Sequence, residues 1–187
     1  LFRAMPRIRE FDPEEALDRA IALFWQKGYF DTSVDELVKQ TGVARKGLYS
    51  VFSNKRGLLL AALERYRHNF RREFFEALMT PDASLPELRQ FFADLVERIN
   101  TGEGQWGCFA CNIAIEMAPH DPEVHHLIQH HFEWMQKLFA DVLSRAVHLG
   151  ELPGELDVDA QSRYLVGVLQ GILVCARARV DASFVES

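Results

Sequence analysis

The chain has 187 residues, 48% of them hydrophobic and 26% charged, which is the balance of an ordinary globular protein of one large or two small domains. No apolar run approaches the roughly 18–20 residues of a membrane span, so no membrane partner is expected. Residues 1–56 carry ten Lys/Arg against eight Asp/Glu, a net +2, whereas residues 57–187 carry eleven against nineteen, a net −8. The overall −6 therefore hides a slightly basic head on an acidic body.

The N-terminus, Leu1 to Arg9, has three arginines with no apolar core behind them, so no signal peptide is expected. Met5 is read as the native first residue and Leu1–Ala4 as additions. Three cysteines, an odd number, speak against a disulfide framework and for a reducing cytoplasm. Asp12-Pro13-x-Glu15 opens a first helix: an N-cap, proline at the first helical position and an acidic first turn. Leu17, Ala20, Ile21 and Phe24 form its apolar stripe, and it ends near Gly28. Ser33 caps a second helix, with Glu36 completing a capping box. Gly42 supplies the left-handed residue of a sharp stop. A third helix starts near Ala44, buries Leu48 and Phe52, and leaves Arg45, Lys46, Gly47, Tyr49 and Ser50 outside. A short basic helix held by a first helix and a glycine turn is the helix-turn-helix layout, sized for the DNA major groove.

The run Thr32-Ser33-Val34, Gly42-Val43, Leu48-Tyr49, Phe52 and Lys55, preceded by Phe24 and Gly28-Tyr29, resembles the DNA-binding domain of the tetracycline-repressor (TetR) family of bacterial regulators. The resemblance covers residues 12–66 most closely. One departure stands out: the family commonly has a small residue and then Thr or Ser before the Leu-Tyr pair, and this chain has Lys46-Gly47. The resemblance implies an all-α fold, with a three-helix DNA-binding head over residues 5–52 and a helical effector-binding and dimerisation body over residues 53–187. It also implies a homodimeric regulator, a repressor of a palindromic double-stranded DNA operator, released by a small apolar or amphipathic effector. Arg45 and Lys46 are the expected base-reading residues, beside Ala44, Gly47 and Ser50. Tyr49, Lys55, Thr32 and Ser33 are the expected phosphate contacts.

Beyond the head, Ser53 is placed to cap a fourth helix over Asn54–Leu78, and Ser84 a fifth reaching Ile99. Trp106–Ala118 reads as a short apolar helix. Asp121-Pro122 opens a long helix with Leu127, His131, Trp134, Leu138, Val142 and Leu143 on one side. The last helix runs from Asp157 or Asp159 to about Arg179. Gly107-Cys108-Phe109-Ala110-Cys111-Asn112 with Glu116 resembles a stretch beside the ligand pocket in one branch of TetR regulators. The Cys108-x-x-Cys111 spacing leaves three readings: packing or pocket lining, thiol sensing of an oxidant or electrophile, and metal binding, for which a second ligand pair is missing. The expected ligand-binding residues are Phe74, Trp106, Cys108, Phe109, Asn112, Glu116, Trp134 and Leu138, since pockets are mainly apolar with a few polar groups.

Five histidines cluster: His120, His125, His126, His130 and His131. His126 and His130 have a metal-compatible i, i+4 spacing, but a solvated helix face is the simpler reading. Gly167 and Gly171 allow a close helix crossing, inside the chain or across a dimer. The expected interface residues are Tyr164, Gly167, Val168, Gly171, Ile172 and Cys175. No Ser/His/Asp order, carboxylate pair or phosphate-cradling loop suggests an enzyme, and no motif asks for a cofactor or a metal. An enzyme with an apolar helical pocket and a thiol-based sensor built on Cys108 are the rival classes.

Overall fold

The computed structural model describes residues 11–102, 104–181 and 184; the expected start at Met5 lies outside them. Among the described residues there are eight α-helices, one 3-10 turn and no strand. No helix is long and apolar enough to cross a membrane. The chain divides into two compact units between Arg65 and Tyr66.

In the first unit, α1 spans Pro13–Lys27 and opens on Asp12, whose carboxylate accepts the Glu14 N–H at 2.9 Å. Ala16, Ala20, Ile21, Leu23 and Phe24 are its buried face, while Leu17 is only half-buried. Helix α2, Val34–Thr41, starts at the Ser33–Glu36 capping box and stops at Gly42 with φ +73. Helix α3, Arg45–Phe52, buries Leu48 and Phe52. Helix α4, Lys55–Phe74, departs from expectation at both ends. Ser53 does not cap it: Ser53 closes α3 with φ +67, and Asn54 accepts the Gly57 N–H at 2.9 Å instead. The helix also stops four residues early. Phe75 leaves the helical path, and Glu76–Met79 tightens into a 3-10 turn that buries Phe75 and Leu78.

The unit boundary falls inside α4 rather than at the α3–α4 turn because the first half of α4 packs with the head. Leu58, Leu59 and Ala62 are fully buried. Arg65 grips α1 through both Asp18 carboxylate oxygens, at 2.5 and 2.7 Å, and through Glu14 at 3.2 Å. Those acceptors, Asp18 above all, hold the guanidinium charged more firmly than usual.

In the second unit, α5 (Leu85–Asn100) opens on a Ser84–Glu87 capping box and buries Leu88, Phe91 and Leu95. Helix α6, Phe109–Met117, is shorter than expected at both ends. Cys108 is extended and caps it, its Sγ accepting the Cys111 N–H at 3.5 Å, and Gly107 has φ +66. Helix α7, Pro122–His148, begins where Asp121 accepts the N–H groups of Glu123 and Val124. Its buried stripe runs through Val124, Ile128, His131, Met135, Phe139, Val142 and Leu143. Leu127, Trp134 and Leu138 are half-buried, so the expected stripe was rotated. The reason is that α7 packs against the 3-10 turn, α5, α6 and α8, and buries side chains in several directions. Helix α8, Val158–Arg177, is capped by Asp157 and lies mainly along α7.

Candidate DNA-binding surface and effector region

The turn that presents α3 is fixed by three local devices. Gly42 ends α2 in the left-handed conformation. The Thr41 hydroxyl donates to Leu37 O at 2.7 Å and accepts the Val43 N–H at 3.2 Å, and Val43 is buried beneath the turn. Helix α3 then begins at Ala44 with no side chain capping its first N–H groups, and Arg45 and Lys46 are its first two residues, both exposed. Uncapped N–H groups at a helix start attract anions. Ala44 and Ser50 share the exposed side, and the Ser50 hydroxyl donates to Gly47 O at 2.7 Å. Tyr49 is half-buried.

Two expected contacts need correction. Thr32 is fully buried, and its hydroxyl donates to Gly28 O at 2.6 Å, so it braces the α1–α2 corner instead of facing a ligand. Gly47 is half-buried rather than outside: a Cβ there would meet Val43 Cγ1 at 3.0 Å and the Phe11 ring at 3.5 Å. Ser33 is exposed, but its hydroxyl is engaged with Glu36. Lys55 lies with Nζ 4.2 Å from the Tyr29 ring centroid. Glu36 is held at about 2, well below an ordinary carboxyl, by its hydrogen bond from Lys27 and by those from Ser33.

The body carries a continuous aromatic cluster. Phe70 stacks on Phe74 at 4.6 Å, Phe75 on Phe91 at 5.1 Å, and Trp134 meets Phe75 edge-on at 5.2 Å. At its edge, buried Cys108 receives the Tyr66 hydroxyl at 3.7 Å, and its Sγ is 3.9 Å from His131 Nε2. Burial pushes the Cys108 thiol up to about 11 and the Tyr66 hydroxyl well above its usual range. Burial first, and then the nearby Arg67 and Arg71, bring His131 down to about 3. His131 is therefore neutral, and its Nδ1 is buried without a partner. The sequence did not reveal this Tyr66–Cys108–His131 grouping, because the three residues come from three separate elements.

The eight expected ligand-binding residues take different places in the body. Cys108 and Phe109 are core side chains. Asn112 Nδ2 donates to Trp106 O at 2.9 Å, and Trp106, Glu116, Trp134 and Leu138 are half-buried in the packing of the body. Phe74 lines a cleft of about 400 Å³, with Phe91 and Leu95 as apolar floor and Glu73, Glu76, Asp94, Glu97 and Arg98 around it. A second cleft, also about 400 Å³, runs along α7 and α8 between Ile128, Phe132, Gln136, Arg163 and Val166. Among the described residues no three His, Cys, Asp or Glu side chains converge as metal ligands.

On α8 the expected interface residues divide. Tyr164 is 64% exposed, Gly167 and Gly171 are exposed, and Val168, Ile172 and Cys175 are half-buried. A Cβ built on either glycine meets nothing within 4 Å, so the intramolecular close-crossing reading fails. Val174, 49% exposed, continues the same face and was missed by the sequence reading.

A glycine turn, a short exposed basic helix and a supporting α1 define a helix-turn-helix DNA-binding protein. Residues 16–62 match the family described as bacterial regulatory proteins of the tetR family, and residues 84–187 match the tetracyclin repressor-like C-terminal domain. The chain is 35% identical over 162 residues, 86% of its length, to the uncharacterised HTH-type transcriptional regulator YezE of Bacillus subtilis, and covers 84% of that protein. It is 30% identical over 176 residues, 94% of its length, to the HTH-type transcriptional repressor ComR of Escherichia coli, and covers 83% of it. A cysteine mutant of the TetR family regulator CifR, complexed with a 26-bp double-strand operator DNA, superposes with a TM-score of 0.82 at 27% identity, over 96% of this chain and 94% of that one. The chain belongs to the TetR family of transcriptional regulators, all-α and DNA-binding through its helix-turn-helix.

Proposed function

We propose that the protein is a homodimeric repressor that binds a palindromic operator and leaves it when a small apolar or amphipathic effector occupies the body. The observation that carries the dimer is the α8 face of Tyr164, Gly167, Gly171 and Val174, apolar or backbone-only and left uncovered by the described residues. One recognition helix reads only a few base pairs, so a two-fold pair of heads, about 34–36 Å apart, matches successive major grooves. In this reading Arg45 and Lys46 reach base edges, while Tyr49, Lys55 and the Ser33 end of α2 meet phosphates. Support for repression comes from ComR, which is a repressor, and from CifR, which binds operator DNA. The effector acts on α4, whose last turn supplies Glu73 and Phe74 to the first cleft. It must bind the DNA-free state more tightly, or it shifts nothing. Such a regulator works in the cytoplasm.

The test is Gly171→Arg. A Cβ at Gly171 meets nothing within 4 Å, so the new side chain starts from open space and the fold is expected to be kept. Across a two-fold interface the same residue is met twice, and two unpaired buried charges cost several kcal/mol, about 3–5 by analogy with broken buried pairs. The variant runs as a monomer in light scattering at micromolar protein, keeps its helix content and loses operator binding. A variant that remains a dimer with normal operator affinity overturns the interface.

A second reading rests on Cys108 with Tyr66 and His131 beside it: a thiol that senses an oxidant or electrophile. The thiol is buried and protonated at rest, so reaction requires the start of α6 to open. Reversible loss of operator binding on oxidation, abolished in Cys108→Ser, supports this reading; the same loss in Cys108→Ser refutes it.

A further inference from the structure

The histidines on the outer face of α7 are used neither by the DNA surface nor by the core. His126 and His130, on successive turns, hold their Nε2 atoms 3.0 Å apart, with ring centroids at 4.2 Å. Both are exposed, so an ion reaches them without disturbing the fold. His130 Nδ1 is 3.1 Å from Glu133 Oε2, one turn further on. An ionised carboxylate only accepts, so the Nδ1–H of His130 donates to it and the lone pair of that ring lies on Nε2, facing His126. The hydrogen between the two Nε2 atoms then belongs to His126. A carboxylate behind one imidazole, with the free nitrogen turned outward, is the usual support of a metal-ligating histidine.

We propose that His126 and His130 form a two-nitrogen clip for a divalent late first-row cation, with Glu133 as the residue that orients His130. Nitrogens 3.0 Å apart subtend about 90–95° at an ion roughly 2.05 Å from each, near the cis angle of the octahedral or tetragonal sphere of Ni(II) or Cu(II), and two exposed rings can open to the wider angle of tetrahedral Zn(II). No third His, Cys, Asp or Glu among the described residues converges there, so water or an exogenous donor completes the sphere. To bind the ion, His126 presents its Nε2 lone pair and carries its ring hydrogen on Nδ1.

The experiment is calorimetric titration of Ni(II), with Zn(II) as comparator, into the full chain freed of any affinity tag. The expected result is one Ni(II) or one Zn(II) per chain. The variant carrying both His126→Ala and His130→Ala weakens binding at least tenfold. Glu133→Gln keeps the stoichiometry and weakens binding by roughly tenfold or more, the range of orienting partners. A double variant that titrates like the wild type overturns the site. An unchanged Glu133→Gln overturns the orienting role. All three side chains are exposed, so circular dichroism of the variants should match the wild type.

Discussion

At Gly107, just before α6, the backbone runs tight against α8. Its φ is +66, and a Cβ there would lie 2.6 Å from Leu173 O and 3.3 Å from Arg177 Cβ. The carbonyl just before it, Trp106 O, accepts from Asn112 Nδ2 at 2.9 Å and from Arg177 Nη1 at 3.3 Å, so the backbone cannot swing away freely. Gly107→Ala therefore meets two costs. Holding an L-residue in the left-handed region costs about 1–2 kcal/mol, and pushing a backbone carbonyl aside costs about 1–3 kcal/mol, as overpacking does. At roughly 2–4 °C per kcal/mol for a chain of this size, Tm falls by about 4–20 °C. Gly150→Ala is the control, because Gly150 has φ +74 and nothing within 4 Å of its Cβ position, and so it meets only the first cost. Thermal unfolding followed at 222 nm compares the two. If Gly107→Ala loses no more than Gly150→Ala, the close approach to α8 does not constrain the fold.

Further outcomes concern the head. Arg45→Ala and Lys46→Ala each weaken specific operator binding by roughly 1–3 kcal/mol and relax base preference, read by binding-site selection; unchanged affinity and preference in both variants removes α3 as the reading helix. Lys55→Ala weakens binding to all sequences alike and flattens the salt dependence by about one unit of slope; a loss confined to one operator variant contradicts a phosphate role. Glu36 gives a pH signature. Its carboxyl is depressed to about 2 from the ordinary 4.5, so its stabilising contribution is complete above about pH 4.5 and disappears as pH falls toward 2. Glu36→Gln should flatten acid unfolding in that window, and an unchanged acid limb in the variant refutes the Lys27–Glu36–Ser33 network as its source.

Where a backbone need coincides with a specialised residue, the sequence shows the structure directly. Asp12-Pro13, Ser33 with Glu36, Gly42, Ser84 and Asp121-Pro122 each mark a helix end that the structure places there. Where several residues compete for one role, the sequence does not decide. Ser53 and Asn54 both suit an N-cap, and the tight α3–α4 corner takes Ser53 into positive φ and leaves Asn54 to cap. Helix α4 has no breaker before Pro81, yet it ends at Phe74 because Phe75 turns into the aromatic cluster, a tertiary demand with no local sign. Thr32 looks like a surface hydroxyl until Gly28 O is seen beside it. The apolar residues of Trp106–Leu138 suggest a pocket, but composition does not distinguish side chains that line a cavity from side chains that fill one.

The glycines show why that distinction matters for function. Gly107, Gly167 and Gly171 are alike in sequence, each a missing side chain in the helical body. Their surroundings are opposite. At Gly107 a Cβ collides with α8, so the absence of a side chain is already used by this chain. At Gly167 and Gly171 a Cβ meets nothing, on a helix whose exposed Tyr164 and Val174 extend the same face. A glycine in a helix interior costs about 1 kcal/mol relative to alanine, and two such costs four residues apart have no compensation within one chain. In the proposed dimer a second copy would supply it: a helix crossing on that face would pack backbone to backbone and cover Tyr164 and Val174 together. The same residues that cost α8 stability in the isolated chain are then those a two-fold partner would cover, so the proposed assembly would add stability to the body as well as a second head for the other half-site of DNA.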